Sequence, residues 1–525
     1  MSHHTLHIVD YIIIICFISL VLYLGFSFAH KQKSTSSYFL AKGKMPSWAI
    51  GLSILATLIS SITFLAYPGE GFASNWILLV QGLMVPVVLL TMIWFIVPLF
   101  RHAIGLSTYE YFEKRFGSFA RYYSSTSFVL SHFSKMGTVF FLISLALANM
   151  TGTPTLLILF ILGIAIIILA LLGGIEAVIW LDVLQGFMLF ACGISCLGII
   201  LYSVNGGPAE VWRIAVTNNK IGFGPYEFNF QKLTFFVMAI NGIFYGIQKY
   251  GTDQTIVQRY LTAKSDRSAI KASLMGVFLI VPVWALFMFI GTGLYVFYQQ
   301  HPLPPNTRAD AVFPYFIVSQ LPPGVVGLIL SSLVSAAICS LGADLNCIAA
   351  VGVEDYYKRF KPNATDEQYL KVGKWLVFGA GILAVAIGAI YLLIGNEGVL
   401  GIVFTLYAIF SGGIAGIFLL GLFSARANKQ GVSIGIIACI FFTAYALLTS
   451  TRIGLGNNKS LILDLGKYNF NQHKLMLGVY SHLVVVVVGY VASLFFPKPE
   501  LDPHLLFSGR KTLRILNENK EKNEA

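Results

Sequence analysis

Stretches of about 20 apolar residues recur along the whole chain, and each is long enough to cross a bilayer as a helix. Thirteen are visible: 8–29, 47–72, 76–100, 120–150, 154–173, 177–204, 232–258, 270–298, 322–350, 371–393, 397–423, 431–450 and 474–496. Lipid offers no partner to backbone N–H and C=O groups, so such segments must be helical. Only 11% of the 525 residues are charged, against about 25% in soluble domains. The pattern defines an all-α polytopic membrane protein of about 13 transmembrane helices. Residues 1–496 read as one transmembrane domain, with ten core helices over about 47–423 flanked by 8–29, 431–450 and 474–496. Residues 497–525 read as a cytoplasmic tail, short and amphipathic or disordered.

The net charge of +12 does not imply a nucleic-acid partner, because the positive residues lie in short connections between spans. Loops 30–46, 101–119, 259–269, 351–370 and 424–430 and the tail from 497, with adjoining helix ends, hold 25 of the 35 Lys and Arg; the opposite loops hold 8. This asymmetry predicts an N-terminus outside and a C-terminus in the cytoplasm, at a plasma membrane or a bacterial inner membrane. The first apolar stretch lacks a basic flank and a small-residue cleavage site, and reads as a retained span. All six cysteines fall in apolar segments, which argues against a disulfide framework.

The two remaining basic residues, Lys135 and Lys249, fall inside apolar segments. A charge at the bilayer centre costs roughly 2.5–3.5 kcal/mol even on lenient scales, so each needs a partner. For Lys135 the reading leaves open an internal acid or a substrate carboxylate. His132, one turn earlier, reads as a packed neutral histidine. Asp182 and Asp344 are also intramembrane and are expected at similar depth, where a cation or shared proton would relieve their repulsion.

Two segments are poor continuous helices. In 47–72, Ala56-Thr57-Leu58-Ile59-Ser60-Ser61-Ile62-Thr63 precedes Pro68-Gly69-Glu70-Gly71; in 232–258, Gly246 to Gln254 interrupts the apolar run. Irregular backbone survives at membrane depth only where it lines a cavity or is buried in protein. The interruptions lie five spans apart, which suggests an inverted-repeat secondary transporter. At the first, the carbonyls of Ala56 and Ile59 and the hydroxyls of Ser60, Ser61 and Thr63 suit a monovalent hard cation or a polar solute. The competing reading, hydroxyls bonded back to the preceding turn, is stronger for one serine than for the cluster. In 322–350, Ala336, Ser340 and Asp344 share a helical face.

Leu172-Gly173-Gly174-Ile175-Glu176-Ala177-Val178-Ile179-Trp180-Leu181-Asp182-Val183-Leu184-Gln185-Gly186 resembles the glycine-pair signature of the sodium/solute symporters, the sodium–glucose cotransporter family. Thr252-Asp253-Gln254-Thr255-Ile256-Val257-Gln258-Arg259 is similar to a second family landmark, and 41–76 resembles the bacterial sodium/sialic-acid branch. The resemblance implies a leucine-transporter-like fold, a five-plus-five inverted repeat with extra helices. It implies a sodium site from the carbonyls of Ala56, Ile59 and Ala336 and the side chains at Cys339 and Ser340. Cys339 stands where the family usually has a hydroxyl. A second sodium site in some members uses an acid matching Asp182 and serines matching Gly342 and Ala343; here Asp344 is the candidate substitute. Lys135 matches an arginine that grips the substrate carboxylate, keeping charge but not the bidentate fork. Gln81 lies one position before a substrate-contacting glutamine, and Gln248, Lys249 and Tyr250 align with the second broken helix.

The expected function is sodium-coupled import of a small polar solute, most simply a sugar or acidic sugar, with another carboxylate, an amino acid or a vitamin as alternatives. The expected partners are sodium, the solute and membrane lipid, with sodium as coupling ion and no other cofactor or metal. A membrane enzyme is disfavoured because no metal-binding histidine pair or nucleophile elbow is present. A channel is disfavoured by buried charges of both signs.

Overall fold

A computed structural model describes residues 6–59, 61–305, 307–394, 412–453 and 460–507. Among them, nine helices are long and apolar enough to span a membrane, and the pair Ser47–Leu58 and Thr63–Ala73 makes a tenth, bent by 58°. Most of the expected span 397–423 lies outside the described residues; its end is the helix Ile414–Phe423. The only sheet among them is a two-stranded ribbon, so backbone groups are satisfied within helices. Side chains such as Ile15, Phe160, Ile164 and Leu393 point outward and bare, as lipid contact requires. The protein is an integral membrane protein.

Two expected spans form one helical run, Thr155–Ser203. Straight, 49 residues would reach about 73 Å, far beyond one bilayer. Gly174, at φ 59°, breaks it. A side chain there would also crowd the Tyr38 carbonyl, 2.8 Å from the Cβ position. The glycine pair is therefore a backbone requirement: the chain turns there and receives the segment Thr35–Leu40 against it.

The broken helices occupy the interior. Ser47–Leu58 and Ser61–Ala73 pack on Asp266–Gln300, and Phe235–Gly251 packs on Leu79–Ala103. The second break corrects the sequence reading: helix continues through Gly246, Gln248, Lys249 and Tyr250 to Gly251, and only Thr252 and Asp253 are irregular. The glycines that look like breakers serve close packing instead, since a Cβ on Gly246 would sit 3.2 Å from Val88. Asp253 starts the next helix, Gln254–Thr262, by accepting from Thr255 N at 2.8 Å.

The helix Val325–Val351 is the central one. In its most apolar window, continued to Phe360, 89% of residues are buried inside the protein, against 17% for Ile8–Ala29 at the periphery. Up to Phe507 the tail packs on the bundle: Leu505 and Leu506 are buried, and Tyr111 donates to the Leu505 carbonyl at 3.1 Å.

Candidate functional site

At the first break Ile59 takes extended backbone (φ −106°, ψ 112°), and its N–H reaches back to Leu55 and Ala56. The Ile59 carbonyl therefore leaves the helical ladder. Gln185 donates to it through Nε2 at 3.4 Å, a long contact. Ala56, Ile59 and Thr63 are buried. Ser60 and the side chain of Ser61 lie outside the described residues.

Facing the break, Ala336, Cys339, Ser340 and Asp344 are all buried on the central helix. Ser340 Oγ has no hydrogen-bond partner among the described residues. The Cys339 thiol is buried close to Asp182 and Ser335. The central helix thus presents a thiol beside a carboxylate from the glycine-pair helix, followed one residue on by an unpartnered hydroxyl.

The two intramembrane aspartates do not share one cation; each has its own. Asp182 Oδ2 accepts from Arg259 Nη2 at 2.9 Å and from Ser53 Oγ at 2.5 Å. Arg259 is itself fully buried, and donates further to Ser53 and to the Thr255 carbonyl. Asp344 holds Lys135, with Nζ 2.9 Å from Oδ2 and 3.0 Å from Oδ1. Of the two partners left open for Lys135, the structure contains the internal acid. The lysine side chain keeps 19% of its surface exposed while Asp344 has none, so the lysine is the reachable member of the pair.

Lys249 pairs with Asp253 at 2.6 Å and donates to Thr255 at 3.2 Å, tying the helix end before the second break to the helix start after it. His132 is buried, as expected of a packed histidine, and it also faces both aspartates. Its Nδ1 lies 3.0 Å from the Phe128 carbonyl, and its Nε2 lies 3.7 Å from Asp253 and 3.8 Å from Asp344. One imidazole thus stands between the two lysine–aspartate pairs. Two lysines against two aspartates make this cluster formally neutral.

The other expected solute contacts are spread more widely. Gln248 and Tyr250 are buried, and the Tyr250 carbonyl accepts from Tyr260 at 3.1 Å. Gln81 is partly buried, its backbone close against Gly242. At Gly82 a Cβ would meet the Trp284 ring at 2.5 Å, so the indole occupies the space a side chain there would need. Sequence reasoning passed over Asp253, Arg259 and Gln185 as individuals, although all three lie in quoted motifs. Arg259 opens the expected loop 259–269, so no signal in the sequence marked it as buried.

Two broken helices around a buried polar centre, within a helical bundle exposing apolar side chains to lipid, define a secondary transporter. The sodium:solute symporter family model matches residues 38–439, and the chain belongs to that family. Among curated proteins it is 34% identical over 493 residues to the sodium/sialic acid symporter NanT of Aliivibrio fischeri, covering 93% of each chain. It is 30% identical to the sodium/sialic acid symporter SiaT of Proteus mirabilis, covering 95% of this chain and 98% of that one. A solved sodium-coupled sialic acid symporter, substrate-bound and outward-open, superposes with a TM-score of 0.86 at 29% identity, covering 94% and 100%. A nucleobase–cation symporter matches at TM-score 0.60 and 16% identity, which speaks to the fold alone. The leucine-transporter-like fold expected from sequence is thereby established.

Proposed function

We propose that this chain imports an acidic sugar of the sialic acid class together with sodium, by alternating access. The observation that carries this reading is the pairing of a helix break at Ile59 with a half-buried lysine. The break frees oxygen for a hard cation, and Lys135 offers a charge to a solute carboxylate. Relatives of the same length that transport sodium with sialic acid support the same assignment.

In this reading sodium lies against the carbonyls of Ala56, Ile59 and Ala336 and the Ser340 hydroxyl, with Cys339 adjacent. The solute lies between the two broken helices, against Thr63, Lys135 and the Ser60 region, with Gln81, Gln248 and Tyr250 farther out. The neutral charge count bears on coupling. Lys135 is already compensated by Asp344, so a monoanion entering alone would leave an unbalanced negative charge in a low-dielectric region. A sodium ion arriving with it removes that imbalance, and each ligand then favours the other's binding. One sodium crossing 100 mV releases about 2.3 kcal/mol, and a tenfold gradient adds about 1.4 kcal/mol. A monoanion returns the voltage contribution, so a second sodium would be of use. The sites open to it are Asp182 and Asp344, both already engaged by cationic side chains. Residues 1–496 act as the transport domain, with the N-terminus outside and the 497–525 tail in the cytoplasm.

Uptake into sealed proteoliposomes tests this directly. Labelled sialic acid should accumulate under an inward sodium gradient and fail to do so in choline, with glucose and a simple monocarboxylate as poorer competitors. Equal accumulation in choline would remove the sodium-coupled reading. Sodium-driven uptake of glucose in preference to sialic acid would remove the acidic-sugar assignment.

A further inference from the structure

Gln185 has no assigned role, yet its surroundings are unusual. It is fully buried, one turn after Asp182 on the glycine-pair helix. Its Nε2 makes only the 3.4 Å contact to the Ile59 carbonyl, and its Oε1 has no hydrogen-bond partner among the described residues. A buried amide oxygen without a partner lowers stability, so an apolar side chain of the same size would serve packing better. The same is true of Ser340 Oγ across the break. Unpartnered oxygens thus stand on two helices that pack against each other and on the first broken helix.

The chemistry of the facing helix explains what such an oxygen is for. Cys339 puts sulfur beside Asp182 at a place where oxygen would suit a hard cation, because alkali and alkaline-earth ions take oxygen ligands and thiols do not serve them. Amide oxygens are ordinary members of such ligand sets. Glutamine also adds no charge to a region whose carboxylates are already matched by Arg259 and Lys135. The terminal amide torsion is soft, so a half-turn carries Oε1 to the side of the Ile59 carbonyl where Nε2 now lies.

We propose that Gln185 Oε1 is a sodium ligand that supplies the oxygen Cys339 does not. The assignment rests on the sodium-symport reading above. Its test is the sodium midpoint for thermal stabilisation of the purified full-length protein without solute, alongside proteoliposome uptake. Q185L should raise the sodium midpoint tenfold or more while leaving the solute KM at saturating sodium within twofold. Adding C339S to Q185L should recover most of that loss. An unchanged midpoint in Q185L overturns the assignment. So does a change confined to solute KM, or a failure of C339S to rescue. If Q185L does not fold, Q185E decides: a carboxylate oxygen should keep or lower the midpoint, and a raised one overturns the assignment. Wild-type uptake indifferent to sodium is a separate result, and it would refute the symport reading itself.

Discussion

Lys135→Met on its own removes the cation that compensates a fully buried carboxylate. Asp344 is held by Lys135 at 2.9 and 3.0 Å, and the nearest other basic side chain is the imidazole of His132 at 3.8 Å. Breaking a buried pair by deleting one partner costs about 3–5 kcal/mol, because the other charge stays behind. That is a large share of the roughly 5–15 kcal/mol by which folded proteins are usually stable. Asp344→Asn should be milder, because Lys135 keeps 19% of its side chain exposed and can draw on water. The double variant Lys135→Met/Asp344→Asn carries no orphaned charge and should recover most of the thermal stability lost by Lys135→Met, by fluorescence-detected unfolding in detergent. Function should not follow stability. Lysine's contact with a solute carboxylate is a charge-assisted hydrogen bond worth about 1.5–3 kcal/mol. The folded double variant should therefore show a KM for the acidic solute raised roughly 10- to 150-fold. A double variant that folds and transports with the wild-type KM would refute the role of Lys135 in solute binding. A Lys135→Met protein as stable as wild type would refute the electrostatic argument beneath it.

Two further outcomes follow from the geometry. Gly174→Ala forces a side chain into φ 59° and toward the Tyr38 carbonyl, which should lower the unfolding midpoint by an amount corresponding to about 1–3 kcal/mol; no shift would show that the bend relaxes freely. Outside the membrane-spanning segments, burial raises the Glu113 carboxyl, but hydrogen bonds from Arg359 and Arg121 outweigh it and hold the group below its ordinary value. A depressed folded-state pKa stabilises above the ordinary carboxylate range and is lost as pH falls through the folded value. Wild type should thus be more stable than Glu113→Gln at pH 7, with the gap closing below about pH 4; a gap that persists in acid would point to packing instead of charge.

Much of this architecture is local in the sequence. Hydropathy over 20 residues placed the spans, because the bilayer acts on each segment separately. The first break was legible at Ile59 because polar residues cluster there inside an apolar run. The second was drawn too wide, since Gly246 and Gly251 resemble helix breakers and instead admit Val88 and Phe418. A glycine's purpose depends on what packs against it, and that neighbour lies far away in the chain.

Length, apolar periodicity and the distribution of lysine and arginine thus decide that this chain crosses a membrane many times and that a few charged side chains stay within it. Which charges meet is decided by helix packing alone. Asp344 reaches Lys135 across 209 residues, Arg259 reaches Asp182 across 77, and His132 comes to rest between two ion pairs. Burial raises the free-energy cost of an unmatched charge, so the fold must supply a partner, but a one-dimensional pattern does not specify which one.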